Sequence, residues 1–242
     1  MTRTASNGAR ALERYAEFAR RLLCLTCVQP VVTDPRVLQA MLSVPRHWFM
    51  PAEVAELAYD DRPVPIGHDA TISQPSLVAQ MTDALRVERH HTVLEVGTGS
   101  GYQAALLGCL ARAVVTVEHV PALARRARSA LRRLDLENVK VVVGDGSLGA
   151  PRQAPYDRVI ITAAAPVLPE AIKRQVRDGG MVVVPIGALA GQRVVRYTRH
   201  GDRWEEVLVA AEVRFVPLLG EQGWASYQDM LVGRPPEGGP WR

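Results

Sequence analysis

The stretch Val93-Leu94-Glu95-Val96-Gly97-Thr98-Gly99-Ser100-Gly101-Tyr102 decides the fold of this chain. Val93 to Val96 has the composition of a short buried strand, apolar except for one carboxylate near its end. Three alternating glycines follow, and glycine lets the backbone turn tightly and approach a ligand closely. From Tyr102 to Ala111 the chain is apolar and free of proline, which suits a helix. Strand, glycine turn and helix form the opening unit of a nucleotide-binding α/β fold, with the helix N-terminus facing the ligand.

The spacing of the glycines discriminates among ligands. The dinucleotide fingerprint is G-x-G-x-x-G, its last glycine packing helix against strand. Here the order is Gly97-x-Gly99-x-Gly101, preceded by the acidic Glu95. A carboxylate before the loop suits a ligand with a cationic end and no phosphate. S-adenosyl-L-methionine, with an ammonium and a sulfonium, fits that description better than NAD. Taken alone, the glycines are equally compatible with a mere tight turn.

Downstream residues favour the ligand. Ala113 to Val117 reads as a second strand ending in Glu118, where nucleotide folds bind ribose hydroxyls. Pro121 opens a helix to about Leu134, and Asn138 to Val143 is a third strand ending at Gly144-Asp145-Gly146. Asp145 could accept from an adenine amino group, or close an ordinary turn. Tyr156 to Thr162 is a fourth strand. The Ala163-Ala164-Ala165-Pro166 that follows lacks the Asn/Asp-Pro-Pro-aromatic cluster often found in methyltransferases of exocyclic amines. A helix is expected over 169–176, stopped by Asp178-Gly179-Gly180, then a fifth strand from Met181 to Pro185. Gln192 to Thr198 and Trp204 to Phe215 suggest an antiparallel hairpin turning near His200-Gly201-Asp202. The fold class expected is α/β: a class I S-adenosylmethionine-dependent methyltransferase (Rossmann-like) sheet, with a C-terminal antiparallel hairpin and added N-terminal helices.

Before the strand, apolar positions at helical spacing over 11–28 (Leu12, Tyr15, Ala16, Ala19, Leu22, Leu23) suggest an amphipathic helix. Thr33-Asp34-Pro35 is a helix start and Pro45 a stop. A proline-punctuated segment runs to Gly67. Then His68-Asp69-Ala70-Thr71-Ile72-Ser73-Gln74-Pro75 crowds polar groups into a short extended piece just before a helix over 76–85. Ser73 and Thr71 either cap that helix or carry chemistry.

Size and composition set the outer limits. A chain of 242 residues can bury one good core. Three regions are expected: 1–90 helical and substrate-loop, 91–219 the methyltransferase core, and 220–242 a polar, loosely held extension. No apolar run is long enough to span a bilayer and residues 1–10 lack the apolar centre of a secretory signal, so a soluble, cytoplasmic protein without membrane contact is expected. The net charge is +4. The cluster Arg125, Arg126, Arg128, Arg132 and Arg133 reads as a solvated helix face and not as a nucleic-acid patch, since no aromatic residues interleave with it. Cys24-x-x-Cys27 has no second pair and reads as two small apolar helix residues; no metal is expected.

The chain from about residue 33 to 219 resembles the protein-L-isoaspartate (D-aspartate) O-methyltransferase family. The carriers are Val44-Pro45-Arg46, Pro65-Ile66-Gly67, Thr71-Ile72-Ser73-Gln74-Pro75 and the glycine stretch. Further along come Gly144-Asp145-Gly146, Ala154-Pro155-Tyr156-Asp157, Thr162-Ala163-Ala164 and Val213-Arg214-Phe215-Val216-Pro217-Leu218. The Thr-Ile-Ser-Gln-Pro and Arg-Phe-Val-Pro-Leu segments are far more specific than the glycines. The resemblance implies methylation of the α-carboxylate of L-isoaspartyl, and of some D-aspartyl, residues in damaged proteins, with repair through a succinimide. It implies Ser73 as the active-site residue. Ala70, Thr71, Ile72, Ser73, Glu95, Gly97, Thr98, Gly99, Ser100 and Gly101 would hold S-adenosyl-L-methionine, with Glu118 on the ribose and Asp145 and Gly146 on the adenine. It also implies N-terminal helices roofing the cofactor, isoaspartyl peptides as partners, and a monomer. One departure is Asp69, where bacterial members commonly carry glycine. Two other readings stay open: a carboxyl methyltransferase for normal aspartate in a dedicated peptide, and a non-catalytic S-adenosylmethionine-binding protein.

Overall fold

Strand β3 (Thr92–Val96) lies at the centre of a seven-stranded sheet, with β4 (Ala113–Glu118) on one side and β6 (Tyr156–Ile161) on the other, both parallel to it. The computed structural model describes residue 13 and residues 16–234. The order continues outward to β5 (Val139–Val143) beyond β4 and to β7 (Val176–Ile186) beyond β6, again parallel. Beyond β7, β8 (Gln192–His200) and β9 (Arg203–Val213) add antiparallel strands. The expected class I sheet and terminal hairpin are therefore both present. Central strands buried on both faces read as continuous β-branched runs, as Val-Val-Thr-Val of β4 and Val-Ile-Ile of β6 do.

The helix Tyr102–Leu110 has all its residues buried except Cys109. That is why it is apolar all round: it has sheet on one side and the helix Pro35–Ser43 on the other. The helix Pro121–Arg132 is one-sided, burying Leu123, Ala124, Ala127, Ala130 and Leu131. Gly101 caps the first of these helices in a left-handed conformation (φ +89°), and a Cβ there would sit 3.0 Å from Ala127 Cβ on the second. The third glycine of the loop thus lets two helices meet.

Several boundaries differ from expectation. The helix expected over 169–176 is one turn, Glu170–Lys173, and Asp178-Gly179-Gly180 lies within β7. There the register jumps from Tyr156↔Val176 to Arg158↔Met181, so the glycines form a bulge and do not stop a helix. The Asp178 carboxylate accepts from Gly201 N (2.7 Å), tying that bulge to the β8–β9 turn. The segment 64–72 is a hairpin of β1 (Val64–Gly67) and β2 (Ala70–Ile72), turned by His68 and Asp69, both at φ +55°. Two central residues at positive φ suit a tight hairpin turn, but His-Asp is not the Asn-Gly that announces one.

At the N-terminal end, residues 16–23 are helical and Cys24–Val28 forms one wider turn; Leu12 and Tyr15 lie outside the described residues. Cys24 is buried, its thiol pushed up to about 11 by that burial, and Cys27 is half-buried, in keeping with packing residues. The arginine cluster is more than a solvated face: Arg126 donates to Ile66 O (2.7 Å), Arg128 to Val141 O (2.9 Å), and Arg133 stacks 4.1 Å over Trp48. Arg125, Arg126, Arg132 and Arg133 are all exposed, as a solvated face requires, and Arg128 is half-buried. The stretch after Leu219 is not loose where it is described. Trp224 is buried and donates to Ala164 O (2.9 Å), and Met230 is fully buried on the helix Tyr227–Val232. Among the described residues, no helix is long and apolar enough to cross a membrane.

Replacing Gly101 by alanine is expected to cost roughly 1–2 kcal/mol for the left-handed backbone alone. For a chain of this size that corresponds to a Tm lower by roughly 2–8 °C, measured by calorimetry or circular dichroism. An unchanged Tm would show that the two helices separate freely at this point.

Candidate active site

The carboxyl ends of β3, β4, β5 and β6 open into one cavity of about 840 Å³. It sits where the strand order reverses around β3, the place where open α/β sheets bind ligands. Val96 to Ser100 line it after β3, Val117 to Val120 after β4, Gly146 after β5, and Thr162 with Ala163 after β6. The roof comes from His68–Ser73 and from Val78 and Met81 on the helix Pro75–Ala84. Among the described residues, the helices before residue 60 do not line the cavity, so the roof expected from them is not seen there.

Of the residues singled out in the sequence, Ala70, Thr71, Ile72, Ser73, Gly97, Thr98, Gly99, Ser100, Glu118 and Gly146 face this cavity together. Glu95, Gly101 and Asp145 do not. Gly101 serves helix packing. Asp145 spends its carboxylate on the protein: one oxygen accepts from Ser147 N (2.9 Å) and Ser147 Oγ (2.7 Å), the other from Glu221 N (2.8 Å). It closes a turn and anchors the segment after Leu219, and its second oxygen, which accepts one hydrogen bond, keeps acceptor capacity. Lining residues the sequence did not single out are His119, Gln103, Thr162 and Tyr227. Tyr227 carries no local signal, since it arrives from more than 120 positions beyond the glycine loop.

The loop is held by hydrogen bonds that converge on it. Glu118, buried, accepts from Gly99 N (2.7 Å) through one oxygen and from Val120 N (2.9 Å) through the other. The Thr162 hydroxyl donates to Gly97 O (2.6 Å), and a side chain at Gly97 would collide with that hydroxyl. Thr98 and Thr116 share a 2.6 Å hydroxyl contact beneath the loop. These bonds fix a turn whose own residues are too small to fix it.

Glu95 is fully buried, and neither carboxylate oxygen has a hydrogen-bond partner among the described residues. Burial pushes its pKa up to about 8, with the nearby Glu118 charge adding to the effect and Thr116 opposing it. Two buried carboxylates at neighbouring strand ends favour a cation, and Glu95 has acceptor capacity to spare. S-adenosylmethionine brings a cationic amino-acid end and a ribose diol, so the residues present fit it.

Ser73 stands opposite the loop. Its hydroxyl makes no hydrogen bond to a described residue, and the helix Pro75–Ala84 has no side-chain cap at its start. Ser76 N is instead capped by Asp61 (2.8 Å), so the capping alternative for Ser73 falls away. Its backbone is held by Arg46, a guanidinium with no exposed surface. Arg46 Nε donates to Ala58 O (2.9 Å), one of its terminal nitrogens donates to Ser73 O (2.7 Å), and the group lies 5.0 Å over the Tyr102 ring. Burial lowers its pKa to about 10, still charged at neutral pH.

Residues 18–223 match the family model of protein-L-isoaspartate(D-aspartate) O-methyltransferase. The chain belongs to that family. A protein-L-isoaspartate O-methyltransferase of Methanoregula boonei is 48% identical over 205 residues, 85% of this chain and 94% of the relative. Protein-L-isoaspartate O-methyltransferase 1 of Rhodopseudomonas palustris is 50% identical over 196 residues, 81% of this chain and 80% of the relative. A solved protein-L-isoaspartate O-methyltransferase superposes with a TM-score of 0.77 at 29% identity, covering 84% of this chain and 67% of the other. A Plasmodium falciparum structure bearing the same enzyme name, in complex with S-adenosyl-L-homocysteine, superposes at 0.72 over 83% of this chain and 98% of the other. At 22% identity it speaks for the fold alone.

In the cofactor-free protein, Glu95 is held neutral by the fold while the unfolded chain titrates at the ordinary 4.5. The folded state then binds the extra proton, so stability falls as pH rises from about 4.5 through about 8. Glu95→Gln, which cannot ionise, is expected to gain Tm relative to wild type across that window while binding S-adenosylmethionine more weakly. Parallel Tm–pH curves for the two proteins would show that Glu95 is not desolvated.

Proposed function

We propose that this protein transfers a methyl group from S-adenosylmethionine to the free α-carboxylate of L-isoaspartyl residues in damaged proteins, and that the resulting ester collapses to a succinimide whose hydrolysis regenerates some normal aspartate. The observation that carries the reading is the placement of Ser73, its hydroxyl unengaged, across one cavity from the glycine loop and Glu118. Family membership and the high coverage of its relatives support the same reading.

The chemistry asks little of acid–base catalysis. A carboxyl group of pKa near ~4 is already ionised at neutral pH, so no general base is needed. The bound cofactor supplies a methyl group on a cationic sulfur. The protein has to align carboxylate oxygen and methyl in line and keep water out, a contribution of roughly 7–11 kcal/mol in well-oriented systems. Glu118 and the loop Gly97–Ser100 would hold the cofactor, Glu95, buried in β3 outside the cavity lining, would act on its cationic end through charge and not through contact, and the Ser73 hydroxyl would donate to the substrate carboxylate or the adjoining peptide. Ser73 is a positioning hydroxyl and not a covalent nucleophile; none of the hydrogen bonds at the site joins it to a histidine. Gly146 and Leu123, which line the cavity beyond β5 and β4, would flank the adenine.

Ser73→Ala is expected to leave S-adenosylmethionine affinity within about twofold and to lower kcat by roughly 100-fold, the scale of a small misplacement of reacting groups. Methyl transfer from labelled cofactor to matched peptides, one with isoaspartate and one with aspartate, measures this. It also separates the repair reading from a methyltransferase of normal aspartate. Equal turnover by mutant and wild type removes Ser73 from its role, and preference for aspartate removes the repair reading.

Asp69 lines the cavity from the exposed β1–β2 turn and is negative where an anionic substrate docks. Asp69→Gly is expected to lower KM for the isoaspartyl peptide by roughly two- to fivefold at low salt, shrinking as salt screens the exposed charge. Glycine also accepts the left-handed backbone of this position. A raised KM would mean that Asp69 contacts the substrate favourably.

A further inference from the structure

Eight large apolar side chains are more than two-fifths exposed among the described residues, and three of them, Tyr227, Leu231 and Val232, lie on the single helix Tyr227–Val232. This helix lies beyond residue 223, where the match to the family ends. It is firmly seated. Trp224 is buried just before it and hydrogen-bonded to Ala164 O, and Ser226 caps it through Asp229 N (3.1 Å). Fully buried Met230 packs its sulfur against Gln192 Nε2 (3.5 Å), and Gly233 ends the helix in a left-handed conformation. A helix anchored this well could have turned polar residues to water. Instead Tyr227 and Leu231, four apart and therefore on one face, stay half-exposed at 49% and 41%.

Tyr227 also lines the cavity that contains Ser73 and the glycine loop. The apolar face is thus continuous with the cavity mouth, where a peptide bearing the reacting carboxylate must lie. We propose that this face is a ledge for the substrate polypeptide: Tyr227 and Leu231 hold an apolar side chain flanking the isoaspartyl residue, and so give this protein a sequence preference. The occupant is one extended peptide segment with an apolar residue beside the damaged one. Local unfolding exposes such segments, since apolar side chains are normally buried. This ledge rests on the isoaspartyl reading given above.

The test compares two isoaspartyl peptides that differ only beside the isoaspartate, one with leucine or phenylalanine there and one with serine. Wild type is expected to favour the apolar peptide by about tenfold in kcat/KM, mostly through KM. Leu231→Ser, a position outside the cavity lining, is expected to cut that preference to about threefold or less while methylating the serine peptide as wild type does. Tyr227→Phe is expected to keep the preference and Tyr227→Ser to lose it. Thermal melts of all variants check that the exposed substitutions leave the fold intact. Equal use of the two peptides by wild type, or an undiminished preference in Leu231→Ser, overturns the ledge while leaving isoaspartyl methylation standing. Transfer to neither isoaspartyl peptide overturns both.

Discussion

A guanidinium sealed from water connects the parts of this protein that must stay in register. Arg46 is held by the carbonyls of Ala58 and Ser73 and by the face of Tyr102, the first residue of the helix after the glycine loop. One side chain therefore spans the N-terminal region, the segment after β2 that carries Ser73, and the helix that starts at the glycine loop. Burying a charge is costly, and one terminal nitrogen of Arg46 has no partner among the described residues. A cation kept at that cost, a single bond away from Ser73, also places a positive field behind the position where an anionic substrate docks. Geometry and electrostatics at Ser73 then have the same source.

Across the cavity, two carboxylates divide the work that one could not do. Glu118 accepts one backbone amide on each oxygen and acts as a brace, holding Gly99 and Val120 so that a loop of small residues keeps one shape. Glu95 has no such partners and is correspondingly reluctant to ionise. The first is positioned before any ligand arrives; the second stays buried in β3, outside the cavity lining. Asp145 takes a third course, spending its charge on the chain after Leu219 and so linking the cavity floor to the segment that delivers Tyr227.

Much of this was legible in the chain. Largely apolar runs at 93–96, 113–117 and 156–161 announced central strands because strands buried on both faces have few polar positions. Ser73 was legible as a site residue through its motif, and the glycine loop through its spacing. Failures were local and physical. Asp178-Gly179-Gly180 looks like a helix stop and is a bulge, because both uses require glycine's freedom. His68-Asp69 forms a hairpin turn without the usual residues, and only pairing of β1 with β2 holds it at positive φ. The stretch after Leu219 looked unstructured since its anchors, Trp224 and Met230, are single residues without a period.

By itself the sequence determined the order of strands and helices, the glycine turn and the residue types at its rim, because these depend on near neighbours and on repeating patterns of burial. The tertiary structure alone decided which carboxylate stays buried without partners, which one braces the loop at the cavity and which closes a turn. Glu95, Glu118 and Asp145 are alike as side chains, and each oxygen's role depends on which backbone amides the fold brings within 3 Å of it. It also decided that Ser73, its backbone held by a fully buried arginine, and Tyr227, more than 150 positions later, line one cavity with the carboxyl ends of the parallel strands.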